Sequence, residues 1–268
     1  MNQIKHIIAV ASGKGGVGKS TTAVNLALAL QAGGARVGLL DADIYGPSLQ
    51  LLLGIDEGRR PKQKDGKFLE PIEAYGLKTM SMGYLVTEKT PMVWRGPMAG
   101  GALQQMLEQT WWGELEYLVI DMPPGTGDIQ LTLSQKATVA GAVIVTTPQD
   151  IALLDARKGI EMFAKVDIPV LGIVENMAVH ICSQCGHSEH IFGAEGGGRI
   201  AAEYGVELLG SLPLDVSIRV QTDKGVPTVV HQPDSAITAV FREIADKVAV
   251  ILGETKPRAV PEIVISND

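Results

Sequence analysis

The sequence predicts an α/β fold, a mostly parallel and twisted sheet with helices on both faces. Near-continuous runs of valine, isoleucine and leucine alternate with helical stretches, which is typical of parallel strands that are buried on both sides. A glycine-rich loop at residues 13–20 connects the first of these runs to the first helix. With 268 residues and 46% hydrophobic content, the chain is long enough for one such domain with small insertions.

The strands and helices are assigned in chain order from their apolar patterns. Residues 4–10 predict a buried strand and residues 21–31 a helix. Further strands are predicted at residues 36–40, 115–121, 142–146, 170–174 and 206–210. Apolar residues then repeat at three- and four-residue steps from Ile237 to Ile251, which predicts a final helix with Gly253 as its stop.

Two regions interrupt this alternation. Residues 57–83 predict a small hairpin insertion with a solvated tip. Its basic residues either contact a partner or form a solvated loop, and charge runs of this kind favour the loop. They are Arg59, Arg60, Lys62, Lys64 and Lys67. The second region, residues 177–194, holds both cysteines. We expect residues 1–255 to form a single domain and residues 256–268 to be an arm or a disordered tail.

The composition disfavours several classes of protein. A net charge of −7 without a basic block is atypical of proteins that bind nucleic acid or anionic membranes in general. The apolar run at residues 7–11 is too short for a signal peptide and leads directly into the glycine-rich loop. No stretch approaches about 18 uninterrupted apolar residues, so we expect no membrane span and a cytoplasmic location.

The loop at residues 13–20 reads Gly-Lys-Gly-Gly-Val-Gly-Lys-Ser and fits the pattern G-x-x-x-x-G-K-[ST]. Its glycines allow backbone N–H groups to point at phosphate oxygens, and the following helix adds the positive end of its dipole. Lys19 is predicted to reach the β- and γ-phosphates and Ser20 to hold Mg²⁺. A glycine-rich turn without a ligand is disfavoured by the order of strand, loop and helix. The expected nucleotide contacts are Gly13, Lys14, Gly15, Gly16, Val17, Gly18, Lys19, Ser20 and Thr21.

Acidic residues end two of the predicted strands. Asp121 stands where phosphate-loop proteins place a partner of Mg²⁺. The glycine-marked segment after it is expected to move with the γ-phosphate, and Asp128 either shares that role or caps the next helix. Asp41 and Asp43 end the second strand, at the sheet edge where ligands bind. We expect Asp43 to orient the attacking water or to bind Mg²⁺, and one of these two aspartates to be structural.

Two further residues are candidates for nucleotide contact. Lys14 is a second cation that an ordinary phosphate loop does not need. It either reaches a phosphate on a facing subunit, as an arginine finger does, or is a solvent-exposed lysine. No guanine-recognition signature Asn-Lys-x-Asp is present, and Asn176, just beyond a strand, is placed to hydrogen-bond a purine edge.

Cys182 and Cys185 are separated by two residues and lie near His180, His187 and His190. In a reducing compartment this spacing indicates metal or redox chemistry more often than a structural disulfide. An iron–sulfur cluster normally takes four thiolates, which a twofold dimer would complete. Zinc held between subunits or as Cys₂His₂ within one chain, a redox pair, or no ligand at all remain alternatives.

Together these motifs resemble the deviant-Walker P-loop ATPases, the class that includes ParA, MinD and the nitrogenase iron protein. The signature is the pair Lys14 and Lys19 in one loop. Within this class the chain is similar to the Mrp/ApbC branch of iron–sulfur cluster carriers. The matching segments are residues 41–48, 94–98, 121–128 and 175–177 together with Cys182 and Cys185. Relatives often carry proline where this chain has Ser183 and Gln184.

The resemblance implies a homodimer that encloses ATP, with Lys14 reaching the nucleotide of the partner subunit. It implies that Cys182 and Cys185 of both subunits bind one [4Fe–4S] cluster, received from a scaffold donor and passed to apo-proteins, with slow ATP hydrolysis. Adenine contacts by Asn176, Pro213 and Asp215 are also implied. The alternatives are a positioning ATPase like ParA or MinD and a P-loop ATPase with structural zinc at the dimer interface.

Overall fold

The computed structural model describes residues 3–85 and 96–254, and within these ranges it is built around a sheet of eight strands. The strands of the chain are β1 (Gln3–Ala11), β2 (Val37–Asp41), β3 (Gln63–Lys64), β4 (Phe68–Leu69), β5 (Ile72–Ala74), β6 (Leu77–Ser81), β7 (Glu114–Asp121), β8 (Val139–Thr146), β9 (Val170–Glu175), β10 (His180–Ile181), β11 (Ser188–Glu189) and β12 (Glu207–Ser211). The spatial order of the main sheet is β12-β9-β8-β1-β7-β2-β6-β5. Its strands pair in parallel, except that β5 runs antiparallel to β6. The mostly parallel sheet predicted from the apolar runs is confirmed.

Helices cover both faces of this sheet. They are α1 (Lys19–Ala32), α2 (Leu49–Leu52), α3 (Gly96–Gln109), α4 (Asp128–Lys136), α5 (Asp150–Lys165), α6 (Gly196–Tyr204), α7 (Val216–Asp223), α8 (Thr228–His231) and α9 (Ala236–Glu254). Successive residues of a strand point to opposite faces, and Ile8, Ala9 and Val10 in the central strand β1 are all fully buried. The same is true of the whole of β2. Both faces of the central strands therefore lie inside the hydrophobic core.

The structure divides the region at residues 57–83. Strands β3 and β4 form a separate hairpin, which is the predicted insertion. Strand β6 instead pairs in parallel with β2 and extends the main sheet, because Leu77, Met80 and Ser81 are buried against it. The insertion is therefore shorter than the sequence pattern indicated.

The predicted helix stop at Gly253 is wrong, because α9 continues through this residue to Glu254. A glycine ends a helix only where the chain turns away, and here the apolar face of α9 continues to Leu252, which is buried. Residues 94–95 of the matching segment 94–98 and the predicted tail at residues 256–268 lie outside the described residues. Among the described helices, none is both long enough and apolar enough to cross a bilayer.

Candidate functional site

The glycine-rich loop connects β1 to α1 and has the backbone geometry of a phosphate cradle. Gly16 and Gly18 adopt φ angles of 81° and 85°, in the left-handed region that favours glycine. A Cβ atom at Gly13 would lie 2.2 Å from the carbonyl carbon of Asp155, so α5 packs directly against the loop. Gly18 precedes α1 without a capping side chain, and the N–H groups of the first helical turn remain available to an anion.

Lys19 pairs with Asp121 at the bottom of this loop. Its Nζ lies 2.5 Å from Oδ1 of Asp121 and 3.1 Å from the hydroxyl oxygen of Ser20. Burial raises the pKa of the fully buried Asp121, and the neighbouring charge of Lys19 acts in the opposite direction. The second carboxylate oxygen of Asp121 is buried without a hydrogen-bond partner in the described part of the chain. An unpaired buried carboxylate oxygen beside a serine hydroxyl fits the hard oxygen ligands that Mg²⁺ prefers.

Of the two aspartates at the end of β2, Asp41 has the contacts of a structural residue. It is fully buried and accepts hydrogen bonds from the backbone N–H groups of Asp43 and Ser48, each at 3.0 Å, and of Leu49 at 3.2 Å. The hydroxyl of Ser81 donates a further bond at 3.1 Å. Burial and the charge of Asp121 raise the pKa of Asp41 to about 7. Asp41 therefore holds the loop at residues 43–48 in position.

Asp43 is only half-buried, and its carboxylate accepts hydrogen bonds from the backbone N–H groups of Gly46, at 3.3 Å, and of Tyr45. Burial raises the pKa of Asp43, and the charge of Lys19 lowers it, so the two side chains share one electrostatic environment. With Asp41 occupied by backbone donors, Asp43 is the aspartate that remains available to a ligand.

The segment after β7 is held by a residue that the sequence analysis missed. The side-chain amide of the buried Gln130 donates to the carbonyl oxygens of Pro123 at 3.1 Å and Gly125 at 2.9 Å. The N–H of Gly125 in turn donates to the carbonyl of Ser12. Helix α4 begins at Asp128, and its N-cap position is Gly127. A glutamine three residues beyond a glycine-marked loop was the only signal in the sequence.

A cavity of about 190 Å³ lies beside the phosphate loop. It brings together residues from distant parts of the sequence, namely Gly18, Thr21, Asn176, Pro213 and Asp215. Asn176 donates from its side-chain amide to the carbonyl of Val17 at 2.9 Å, and a Cβ atom at Gly18 would lie 2.1 Å from that amide nitrogen. The Asp215 carboxylate accepts from the N–H of Ser217 at 2.7 Å and caps α7.

Other walls of this cavity were missed by the sequence analysis. Ile218 and Thr222 of α7 and Phe241 of α9 also line it. Both helices show an ordinary amphipathic pattern in the sequence, so no local signal distinguishes a cavity wall from the core.

Lys14 lies at the outer rim of the phosphate loop and is half-exposed. Its carbonyl accepts a hydrogen bond from the hydroxyl of Ser12 at 2.9 Å, which orders the backbone at this position. Within residues 3–85 and 96–254, no carboxylate forms an ion pair with its ammonium group. The charge is therefore free to meet an anion from outside the chain.

The two cysteines lie on a small hairpin of β10 and β11. The N–H of Cys182 donates to the carbonyl of His187, and the N–H of Gly186 donates to the carbonyl of Cys182, both at 2.9 Å. Both thiols are free, and Cys185 is exposed. The backbone N–H groups of Gln184 and then of Cys185 lower the pKa of Cys182 because they stabilise its thiolate.

The neighbouring histidines do not complete a metal site with these thiols. Nδ1 of His180 lies 3.2 Å from the carbonyl of Leu214, and Nδ1 of His190 lies 2.8 Å from that of Ala178. Among the described residues, no three His, Cys, Asp or Glu side chains are grouped so that they could hold a metal ion. A Cys₂His₂ site within one chain therefore has no support among the described residues.

The cysteine hairpin is attached to the wall of the 190 Å³ cavity. The N–H of Ala178 donates to the carbonyl of Leu212 at 2.9 Å, and the N–H of Leu214 donates to the carbonyl of Val179 at 2.8 Å. Leu212 and Leu214 both line the cavity. The backbone of the cavity wall and the backbone of the hairpin are thus hydrogen-bonded to each other.

A family model described as ParA, NUBPL iron-transfer P-loop NTPase matches residues 3–249. A Pseudomonas fragi protein named iron-sulfur cluster carrier protein is 66% identical over 242 residues, which cover 90% of this chain and 84% of that protein. The protein of the same name from Escherichia coli K12 is 61% identical, and the match covers 97% of this chain and 72% of that protein. The mouse iron-sulfur cluster transfer protein NUBPL is 51% identical, and the match covers 91% of this chain and 77% of that protein.

Two solved structures show the same fold. A nucleotide-binding protein from Archaeoglobus fulgidus in complex with ADP superposes with a TM-score of 0.73 at 40% identity, covering 83% of this chain and 87% of that one. The cell division ATPase MinD of Pyrococcus furiosus has a TM-score of 0.68 at 22% identity, and the match covers 92% of this chain and 99% of that one. At this lower identity the second match supports the fold alone.

Proposed function

The chain belongs to the ParA-type, NUBPL-like family of iron-transfer P-loop NTPases, and we propose that it is a cytoplasmic, ATP-dependent carrier of iron–sulfur clusters. Two copies would bind ATP and one [4Fe–4S] cluster between them, hydrolyse ATP slowly and pass the cluster from a scaffold donor to apo-proteins. Nucleic acid and membrane are not among the partners we propose. The observation that carries this proposal is the pair of free thiols, Cys182 half-buried and Cys185 exposed, on a hairpin attached to the wall of the cavity beside the phosphate loop.

The nucleotide would occupy the phosphate loop and the adjoining cavity. The backbone of residues 13–21 would bind the phosphates, and adenine would enter the cavity against Asn176, Pro213 and Asp215. Lys19 would turn from Asp121 to the β- and γ-phosphates, which removes a cation from the buried carboxylate. Adenine is the base we propose because the similar nucleotide-binding protein from Archaeoglobus fulgidus was solved in complex with ADP, and an amide side chain can both donate to and accept from a purine edge.

Ser20, Asp43 and Asp121 would hold Mg²⁺, which would neutralise negative charge on the phosphates when bound. Asp43 would also orient the attacking water, since Asp41 is saturated by backbone donors. Lys14 would extend across the interface to the nucleotide of the partner subunit and stabilise charge that develops during hydrolysis.

The cluster would be completed by dimerisation. Cys182 and Cys185 supply two thiolates per chain, and a [4Fe–4S] cluster takes four. A twofold axis beside the hairpin would place both pairs around one cluster. The lowered pKa of Cys182 favours the thiolate, which is the form that binds iron.

Nucleotide occupancy would reach the cluster through the shared backbone. The segment at residues 212–215 lines the cavity and is hydrogen-bonded to residues 178–180 at the base of the hairpin. A nucleotide that displaces this segment therefore displaces the hairpin that carries Cys182. Through this contact, ATP binding would change how tightly the dimer holds the cluster.

Anaerobic reconstitution with iron and sulfide tests the cargo site. Wild-type protein should take up about two iron atoms per chain with the absorbance of a cluster, because two chains share it. Cys182→Ala should lose this absorbance and still bind ATP, and the neighbouring variant Ser183→Ala is the matched control. Cluster retained by Cys182→Ala, or held by single chains in anaerobic light scattering, would refute the site. Bound zinc without iron or sulfide would favour the structural-zinc alternative.

Two lysine variants test the nucleotide roles separately. Lys19→Ala should lose nucleotide binding, whereas Lys14→Ala should bind nucleotide and lose hydrolysis, because Lys14 acts on the partner's phosphates. Lys165→Ala, which removes an exposed lysine from α5, is the control. Co-sedimentation with DNA or liposomes in the presence of ATP would favour a positioning ATPase instead.

A further inference from the structure

A second and larger cavity of about 410 Å³ lies at the opposite end of the sheet from the phosphate loop. Lys78, in its wall, stands near the start of β6, and Trp111 precedes the start of β7. The phosphate loop instead follows the end of β1. Strands β1, β7, β2 and β6 run parallel to one another, so their starts lie at one end of the sheet and their ends at the other. The cavity is therefore separate from both the nucleotide site and the cysteine hairpin.

Five cations line this cavity although the chain has a net charge of −7. They are Arg60 and a group of four, Arg59, Lys62, Lys64 and Lys78. In the part of the chain that the structure describes, none of these four forms an ion pair with a carboxylate. Glu70 and Glu73 also reach the wall but leave an excess of positive charge there.

Two of these cations are fixed by their neighbours. Lys78 is half-buried and donates from Nζ to the carbonyl oxygen of Trp112 at 2.7 Å. Nζ of Lys64 lies 4.6 Å from the centre of the Trp111 ring, within cation–π range. The cavity thus has ordered positive charge beside an aromatic ring, with Ile72 contributing an apolar wall. Such a site differs from a solvated charge run, in which each side chain extends separately into water.

We propose that this cavity is a docking site for an acidic peptide segment of a partner protein, which carries at least two carboxylates around one apolar side chain. The proposal rests on the proposed function, because a carrier that transfers a cluster must recognise proteins. Carboxylates would meet Arg59 and Lys62 at the rim and Lys78 deeper in, and the apolar side chain would pack on Ile72 and Trp111. A single small anion would leave the apolar wall unused.

A peptide fits this cavity better than nucleic acid. Long polyanions experience the charge of the whole chain, which is −7, whereas a short segment responds mainly to the charges within about a Debye length of the cavity. The wall also contains Trp111 and arginine side chains, which are residue types enriched in protein–protein interfaces.

The test uses the full chain and a fluorescein-labelled Glu-Glu-Leu-Glu-Glu peptide, followed by fluorescence anisotropy. Wild-type protein should bind it with salt-sensitive affinity and should not bind Gln-Gln-Leu-Gln-Gln. The double variant Arg59→Glu/Lys62→Glu should bind about tenfold more weakly or worse, because like charges then face each other. The variant Lys165→Glu/Arg242→Glu makes the same change in net charge at exposed sites outside the cavity and should bind as wild type does.

The neutral variant Arg59→Gln/Lys62→Gln should show an intermediate loss, which excludes misfolding as the cause. Absence of peptide binding, or equal binding by the charge-reversal variant and its control, would overturn the proposal. Stronger binding of pyrophosphate or of a single-stranded oligonucleotide at this cavity would overturn it as well. Peptide binding should persist in Cys182→Ala and Lys19→Ala, so failure of the carrier function and failure of the docking site give different results.

Discussion

The pair formed by Lys19 and Asp121 gives a prediction about stability that is independent of nucleotide. The Lys19 side chain is 7% exposed and Asp121 is not exposed at all. Replacing Lys19 with alanine leaves a buried carboxylate without its cation, and one of the carboxylate oxygens already has no described partner. Removing one member of a buried ion pair typically costs about 3–5 kcal/mol.

The expected loss in the free energy of unfolding is about 3 kcal/mol, at the lower end of that range, because Asp121 can take up a proton. The matched control is Arg157→Ala, which breaks an ion pair with Glu203 at 2.9 Å whose side chains are 36% and 47% exposed. Exposed pairs contribute roughly 0–1 kcal/mol, so the control should remain close to wild type. Urea unfolding of the nucleotide-free proteins measures both.

The pH dependence adds a second readout. Burial raises the pKa of folded Asp121 above its ordinary value, so the native state binds this proton more strongly than the unfolded state. The contribution of Asp121 to the free energy of unfolding therefore falls as pH rises through its raised pKa, and loss of Lys19 strengthens this effect. The deficit of Lys19→Ala should be smallest in acid, where Asp121 is protonated in both the folded and the unfolded state, and should grow as pH rises through the raised pKa. A deficit that stays no larger than that of Arg157→Ala across the pH series would refute the reasoning.

Two further predictions concern the phosphate loop and the cysteine hairpin. Gly18→Ala should cost about 1–3 kcal/mol and weaken nucleotide binding, because Gly18 has a φ of 85° and its new Cβ would lie 2.1 Å from the amide of Asn176. Thermal unfolding and nucleotide titration measure this. Gly15→Ala is the control for unfolding alone, since nothing lies within 4 Å of a Cβ there, and an equal loss of stability in that variant would contradict the prediction. Cys182 should react with iodoacetamide at a lower pH than N-acetylcysteine, because backbone N–H groups stabilise its thiolate. Mass spectrometry across a pH series checks this, and an equal or higher midpoint would show that these N–H groups do not act on the thiol.

Local patterns in the sequence were sufficient for the phosphate loop and for most of the sheet. The glycine spacing at residues 13–20 depends on backbone freedom and on one following helix, both of which are local properties. The buried strands are continuous apolar runs, so their positions in the sequence are readable without knowing their neighbours. The parallel sheet followed from these runs, and the resemblance to deviant-Walker ATPases followed from the loop.

The structure was needed wherever a role depends on contacts between distant segments. The sequence favours Asp43 over Asp41 as a ligand but does not show what holds Asp41, which accepts hydrogen bonds from the loop that follows it and from Ser81. Strand β6 belongs to the main sheet because β2 pairs with it, which its own short apolar run does not reveal. The contact of Asn176 with the phosphate loop joins residues 159 positions apart.

The sequence by itself therefore determined the phosphate-binding loop, the parallel strands and the paired thiols, because each depends on residues that are close along the chain. The tertiary structure alone decided which donors hold Asp41, which walls enclose the cavity beside the loop, and where the basic residues of the insertion gather around Trp111. Those properties arise from packing between segments, and the order of residues in one segment carries no information about the segment it will meet.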